Sequence, residues 1–163
     1  MTEPKWLSVA RGQLGVRETA GPKSNPTILG WAKKVGRSLG ITYADDAVPW
    51  CGLFVGYCVS LADYIPPPVA VRAKAWADWG EPVSPMLGAI LVFERPGGGH
   101  VGFYVGHDET TYHVLGGNQS DAVTVTRIAK ARCVAIRWPA VASPAPGKAV
   151  VATLAGTISK NEA

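Results

Sequence analysis

The spacing of the apolar residues changes once along this chain, close to residue 86. Upstream, apolar residues recur at the three- and four-residue intervals of helices, over 4–14, 26–35, 51–63 and, more briefly, 70–79. Downstream, short apolar runs are typical of strands, at 88–93, 100–106, 111–115, 123–128 and 133–138. Helices followed by a meander of strands predict an α+β fold, with N-terminal helices packed on an antiparallel sheet of about five strands.

The helical segment 51–63 places two glycines, Gly52 and Gly56, on a face that neighbours its apolar one. The apolar face consists of Cys51, Phe54, Val55, Cys58, Leu61 and Ala62. Each glycine in a helix interior costs roughly 1 kcal/mol of stability. That cost is easier to understand if another stretch of backbone packs closely against the glycines. We therefore expect a close backbone approach along this face.

Composition limits the class of protein and its partners. The 163 residues are 47% hydrophobic and 17% charged, which is typical of one globular domain with a real core. The net charge of +4 favours polyanionic partners such as nucleic acid, anionic lipid or an anionic cell wall. Because the basic residues are spread along the chain, nucleic acid is not expected as a partner. No run approaches the ~18 apolar residues of a membrane span. We expect a monomer.

The two ends of the chain differ from its centre. Residues 1–5 are not followed by the apolar core of a signal peptide, so we expect a protein made in the cytoplasm without a signal peptide. After Pro139 the chain becomes rich in alanine, proline, serine and valine, which is linker composition. The expected organisation is a domain at 1–139 and a linker or tail at 140–163. The apolar stretch 149–158 could be a docked tail, a truncated further segment, or disorder.

Three cysteines leave at least one thiol free. Cys51 and Cys58 are two helical turns apart, about 10 Å, which is too far for a disulfide. Cys58 is expected in the core, and Cys133 inside a strand. No Cys-x-x-Cys motif occurs, and the three histidines lack ligand-like spacing, so neither a metal nor a cofactor is expected.

A thiol, an imidazole and a carboxamide stand at the ends of predicted elements. Cys51 begins a helix, His100 opens a strand after a glycine-rich turn, and Asn118 ends the next strand after Gly116 and Gly117. The unpaired N–H groups of a helix start and a nearby imidazolium lower a thiol pKa, and the same N–H groups can supply an oxyanion-hole donor. Together the three types of group predict the site of a cysteine hydrolase.

In this interpretation Cys51 is the nucleophile and His100 is the base, while the carboxamide oxygen of Asn118 accepts a hydrogen bond from Nδ1–H of the imidazole. The alternatives are core packing for Cys51, a surface strand-end histidine for His100 and a turn former for Asn118. The other histidines, His107 and His113, are expected in solvent or in loops.

Six pieces of the sequence, taken in order, resemble a known family. They are ARGQLGVRE (10–18), SNP (24–26), PWC (49–51), AWADWG (75–80), GHVGF (99–103) and LGGNQS (115–120). This set resembles the CHAP branch of the NlpC/P60 superfamily of cysteine peptidoglycan hydrolases, specifically a small phage-associated subgroup. The resemblance spans roughly 4–139 and implies a papain-like α+β core. It maps the nucleophile to Cys51, the base to His100 and the orienting residue to Asn118.

The sequence departs from the family pattern near the residue that orients the imidazole. Many CHAP domains carry a glutamate near this position, where Gly116 and Gly117 stand here.

Three further residues are candidates for substrate binding. Tyr43 is a candidate oxyanion donor by position, and Asp46, or its neighbour Asp45, could meet a free amine of the stem peptide or lie in a solvated loop. Trp50 could line the cleft or anchor the helix.

The resemblance implies a peptidoglycan hydrolase that cleaves an amide bond of the wall peptide, as an endopeptidase or an N-acetylmuramoyl-L-alanine amidase. We expect it to act at the bacterial cell wall, as a bacteriophage endolysin in lysis or as a virion component. A bacterial effector is a further alternative. The alternatives in chemistry are a thiol transamidase or deamidase acting on proteins, and a non-catalytic wall-binding module.

Overall fold

The computed structural model describes residues 3–19, 25–36, 49–140, 158–160 and 162. The described helices are α1 (Lys5–Gly12), α2 (Pro26–Val35), α3 (Cys51–Leu61) and two short 3-10 helices, Ala73–Asp78 and Lys130–Arg132. The three predicted longer helices are therefore confirmed, and the predicted helix over 70–79 is a 3-10 helix. The predicted start of α2 is also confirmed, because the Asn25 side chain accepts a hydrogen bond from the N–H of Thr27 at 2.8 Å.

Within the described residues, seven strands form one sheet. They are β1 (Glu81–Pro82), β2 (Ile90–Arg95), β3 (Gly98–His107), β4 (Thr111–Gln119), β5 (Ala122–Ala129), β6 (Cys133–Trp138) and β7 (Ile158–Ser159). Their order across the sheet is β1-β6-β2-β3-β4-β5-β7, and every neighbouring pair is antiparallel except β5 and β7, which are parallel.

The α+β class is confirmed, but the expected sheet of about five antiparallel strands is incomplete. The five predicted runs correspond to β2 through β6. Two further strands of two residues each, β1 and β7, form the two edges of the sheet. The sheet is mixed because β7 runs parallel to β5. Two residues are too short to produce a periodicity, so these edges have no signal in the sequence.

Helix α3 lies at the centre of the domain. It contacts α1, α2, the 3-10 helix at Ala73–Asp78 and the strands β3 and β4. Eight of its eleven residues are buried, and these include Leu53 and Val59, which lie off the predicted apolar face, so burial extends beyond that face. A helix enclosed on all sides is apolar all round. This enclosure holds Cys51, its first residue, against the sheet.

The expected close backbone approach is confirmed at Gly52. A β-carbon on Gly52 would overlap the carbonyl oxygen of Ala70 and lie 2.7 Å from that of Val71. A β-carbon on Gly56 would meet side chains alone, at 3.5 Å from Val35 and 3.7 Å from Trp76. The segment over Gly52 leads into the wall of the cavity beside Cys51, so the approach helps to shape the site.

We expect alanine substitution to be far more costly at Gly52 than at Gly56. Gly52→Ala should lower the free energy of unfolding by about 2–4 kcal/mol, because rigid backbone must move away. Gly56→Ala makes only ordinary contacts and should change it by less than about 1 kcal/mol, with a gain in helix propensity. Urea unfolding of both variants checks this, and equal stabilities would contradict the role assigned to Gly52.

The C-terminal residues that are described return to the sheet. Ile158 and Ser159 pair with Arg127 and Ile128 of β5, whereas residues 141–157 of the predicted linker lie outside the described residues. No helix among the described residues is both long and apolar enough to cross a membrane.

Candidate active site

Cys51 is the first residue of α3 and borders a cavity of about 330 Å³. Its side chain is almost completely buried, with 5% of the residue exposed. The main-chain N–H groups of Cys51, Gly52 and Val101 hydrogen-bond its sulfur. The thiol therefore meets the helix start on one side and strand β3 on the other.

Burial governs the protonation of this thiol. Loss of solvent raises the pKa of Cys51, and the N–H groups of Val101 and Gly52 and the charge of Arg95 lower it by less. The expected low thiol pKa is therefore wrong for the free protein. The sulfur is a neutral thiol at neutral pH and must lose its proton during the reaction.

His100 lies in β3 directly before Val101, whose N–H reaches the sulfur. The imidazole is completely buried, and burial lowers its pKa to about 4. Its Nε2 lies 2.9 Å from Oε1 of Gln119, while Nδ1 has no hydrogen-bond partner among the described residues. Buried polar groups without a partner are rare in proteins, and a role in chemistry is one of the few explanations for them.

The Gln119 side chain determines the tautomer of this imidazole. Its amide nitrogen donates to the carbonyl oxygens of Val114, at 3.2 Å, and Thr124, at 2.8 Å. Both amide hydrogens are then used, so the oxygen must face the ring and accept from Nε2–H of His100. The lone pair consequently resides on Nδ1, and Nδ1 is the atom that can take a proton.

Gln119, and not the predicted Asn118, holds the imidazole. Asn118 is buried, and its amide nitrogen donates to the carbonyl oxygen of Glu162 at 3.4 Å. The pairing of β4 with β5 is irregular between Gly116 and Gln119, and Asn118 has a φ of 59°. This irregularity breaks the alternation of side chains, so counting along an ideal strand selects the wrong residue. The nitrogen that is held is Nε2, also contrary to the expectation of Nδ1.

The two glycines before Asn118 make room for this arrangement. A β-carbon on Gly116 would lie 2.7 Å from Oε1 of Gln119 and 3.3 Å from Nε2 of His100. A β-carbon on Gly117 would lie 2.8 Å from the side chains of Phe54 and Trp50. The carboxamide of Gln119 thus fills the space that a side chain at position 116 would need.

A carboxylate from the C-terminal tail lies close to the same imidazole. Glu162 is buried, and its charge opposes the fall in the pKa of His100. Both of its carboxylate oxygens accept hydrogen bonds from the guanidinium of Arg132, and Ser159 donates a further one. Arg132 also donates to the carbonyl oxygen of Glu94 at 2.8 Å, which ties the tail to β2. No sequence signal indicated Glu162, because it follows a segment of linker composition.

The remaining candidates lie elsewhere. Tyr43 and Asp46, with Asp45, fall outside the described residues. Trp50 is completely buried and its Nε1–H donates to Glu18 at 2.9 Å, so it anchors the start of α3 and does not face the cavity.

The other two histidines lie at the opposite end of the β3–β4 hairpin. Nδ1 of His107 lies 2.6 Å from the hydroxyl of Tyr104. His113 is buried, with Nε2 2.8 Å from Asp108, and is not the expected solvent residue, because it pairs inside the sheet. Among the described residues, no group of three or more histidine, cysteine, aspartate or glutamate side chains is placed to hold a metal ion.

Comparison of the chain with protein-family models, with curated proteins and with solved structures finds no match.

Alanine substitution of Gln119 and of Asn118 should show which of the two side chains orients His100. Gln119→Ala should lower kcat by about tenfold to a hundredfold, because His100 loses the group that fixes its tautomer. Asn118→Ala should keep kcat within about threefold of wild type, because its amide bonds the tail. Steady-state kinetics beside a thermal melt of each variant checks this. A well-folded Gln119→Ala protein with wild-type kcat, or a larger loss at Asn118, would return the orienting role to Asn118.

The buried imidazole also predicts how stability depends on pH. The pKa of His100 is about 4 in the folded protein and 6.5 when solvated. Between about pH 6.5 and pH 4 the imidazole is therefore protonated in the unfolded chain and neutral in the folded protein. The free energy of unfolding consequently falls as the pH drops through this range. The difference corresponds to about 3 kcal/mol at most. In His100→Gln this part of the loss should disappear in unfolding experiments between about pH 7 and pH 5; parallel curves for the two proteins would contradict it.

Proposed function

We propose that the protein is a cysteine amidohydrolase of bacterial peptidoglycan, with the papain-like core of CHAP and NlpC/P60 enzymes. One observation carries the proposal: the sulfur at a helix start is bonded by the N–H of Val101, the residue after a buried imidazole that is held at Nε2 and has no partner at Nδ1 among the described residues. A core cysteine and a core histidine need neither a cavity nor an unpaired nitrogen. The order of the sequence pieces around Cys51 and His100 supports the wall peptide as the substrate.

The first half of the reaction transfers one proton and forms one bond. His100 Nδ1 takes the proton of Cys51 as the sulfur attacks the carbonyl carbon of the scissile amide. The oxyanion that forms is stabilised by the positive end of α3. As the intermediate collapses, the imidazolium returns its proton to the leaving amine, which departs and leaves a thioester on Cys51.

In the second half, water replaces the amine. Nδ1 of His100 removes a proton from water as it attacks the thioester, and Cys51 recovers its proton as the carboxylic acid leaves. Throughout, Gln119 accepts the hydrogen bond from Nε2–H and keeps the ring oriented. A neutral thiol on Cys51 and a neutral imidazole on His100 before the reaction are compatible with this scheme, because the proton moves only when substrate is present.

The proposal includes the setting inferred from the sequence, with action on the cell wall in bacteriophage lysis or as part of a virion. A net charge of +4 suits an anionic wall. A transamidase or deamidase would use the same thiol chemistry on a protein side chain. A binding module would keep the fold without turnover, but it would gain nothing from a buried imidazole nitrogen that has no partner among the described residues.

Digestion of purified sacculi tests this proposal. The protein should release soluble fragments, each with a new amine and a new carboxyl group, which mass spectrometry of the muropeptides identifies. The position of the new ends distinguishes an endopeptidase from an amidase. Binding to sacculi without release of fragments would favour the wall-binding module. Amide transfer or ammonia release from a protein substrate, with intact sacculi, would favour the transamidase or deamidase.

A further inference from the structure

The cavity beside Cys51 carries positive charge. Three cations border it, Arg72, Lys74 and Arg95, and no aspartate or glutamate is among the described residues that line it. Enzyme clefts lined by one sign of charge attract substrate groups of the opposite sign. The sequence did not indicate this cluster, because its members come from two segments more than twenty residues apart.

The charges of these cations are compensated to different degrees. Arg95 donates to two carbonyl oxygens, those of Gly99 at 2.9 Å and Pro96 at 3.2 Å, which leaves its charge without a counter-ion among the described residues. Lys74 lies 2.9 Å from the carboxylate of Glu94, with both side chains about half exposed. Such an exposed pair is weak and readily exchanged.

Arg72 is the cation with the fewest restraints. Its guanidinium makes no hydrogen bond or ion pair with the residues that the structure describes. It precedes the 3-10 helix at Ala73–Asp78 and is exposed at the cavity. A guanidinium can bind a carboxylate through two parallel hydrogen bonds, which gives direction as well as attraction.

One of these three cations acts electrostatically on the nucleophile. The charge of Arg95 lowers the pKa of Cys51 against the larger effect of burial. Cys51 lines the same cavity as the three cations, so a group bound among them can belong to the same substrate molecule as the bond that Cys51 attacks.

We propose that this cavity binds a free carboxylate of the substrate peptide, with Arg72 as its main contact, so that amide bonds next to an acidic residue are preferred. The inference rests on the proposed function and deepens it by naming the recognised group. Neutral carboxamides at the same position cannot form the charge-assisted pair and are expected to be poorer substrates.

Matched peptides test the preference directly. Two stem peptides are made that differ only in a carboxylate or a carboxamide on the residue beside the bond cut in sacculi. Wild-type protein should cleave the carboxylate form with a kcat/KM about tenfold higher. Arg72→Gln should reduce that ratio to about one to three. Arg11→Gln, which removes the same charge from α1, should keep the wild-type ratio. Equal cleavage of both peptides by wild type, or an unchanged ratio in Arg72→Gln, would overturn the proposal.

Alkylation of Cys51 tests the charge without any peptidoglycan. Iodoacetate is an anion and iodoacetamide is its neutral counterpart, so the ratio of their rates at Cys51 reports the local field. The ratio should fall about three- to tenfold in Arg72→Gln and should fall with added salt in wild type. Mass spectrometry of the Cys51 peptide gives both rates. An unchanged ratio would overturn the cationic site; a lowered ratio with no wall cleavage would keep the anion site and remove the proposed hydrolase function.

Discussion

Replacing Cys51 with alanine should abolish wall digestion and leave the fold intact. The reaction requires a sulfur that can attack a carbonyl, and alanine offers none. The cavity beside Cys51 is already present, so removing the sulfur exposes little new apolar surface. We expect no release of fragments from sacculi above background, with a melting temperature within a few degrees of wild type. A Cys51→Ala protein that clears sacculi at the wild-type rate would end the enzyme interpretation.

Cys58 provides the matched control, since it lies two turns further along the same helix. It is completely buried, and burial keeps its pKa well above the usual thiol value. Cys58→Ala should cost about 1–3 kcal/mol of stability through the cavity left behind. Turnover should remain near wild type at temperatures where the variant is folded. Loss of turnover in Cys58→Ala with retention in Cys51→Ala would identify Cys58 as the nucleophile instead.

Replacing His100 with alanine should lower kcat by about a hundredfold to ten-thousandfold, the usual contribution of a positioned general base. The thiol of Cys51 has a raised pKa, so it depends on a base to lose its proton. In wild type the acid limb of kcat/KM should lie near pH 4, since the neutral imidazole is the active form and its pKa is about 4. An acid limb near 6.5 would show that the ring is solvated in the working enzyme.

His107 is the control for this experiment. It lies at the other end of β3 and bonds the hydroxyl of Tyr104, so His107→Ala should keep wild-type kcat within about threefold. Chelators should leave the wild-type rate unchanged. Equal losses in His100→Ala and His107→Ala would indicate a folding role for both rings. Inhibition by a chelator that zinc reverses would indicate a metal centre.

Short-range features of this protein could be predicted from local sequence. Helical spacing over 26–35 and the Asn25–Pro26 start gave α2, because capping depends on residues within one turn. Strand-like runs after residue 86 gave β2 to β6 within a few residues. The positions of Cys51 at a helix start and His100 near a strand start also follow from local pattern. These properties need no knowledge of what packs against them.

The third group of the site could not be predicted in the same way. Asn118 and Gln119 are adjacent amides, and an ideal strand would turn one of them towards His100 by alternation. The irregularity after Gly116 interrupts that alternation, and the space left by Gly116 is filled by Gln119. Strand register and packing thus decide which of the two amides faces His100, and neither can be read from the local sequence.

The sequence by itself determined the α+β class, the helices and the elements that carry the thiol and the imidazole, because periodicity and capping act over a few residues. Tertiary structure alone decided the protonation of both groups, because a pKa follows burial, and burial is produced by distant segments closing over Cys51 and His100. It also decided the neighbours of the site. Arg72 lines the cavity, and the charge of Glu162 acts on the imidazole, because the fold brings distant segments of the chain together.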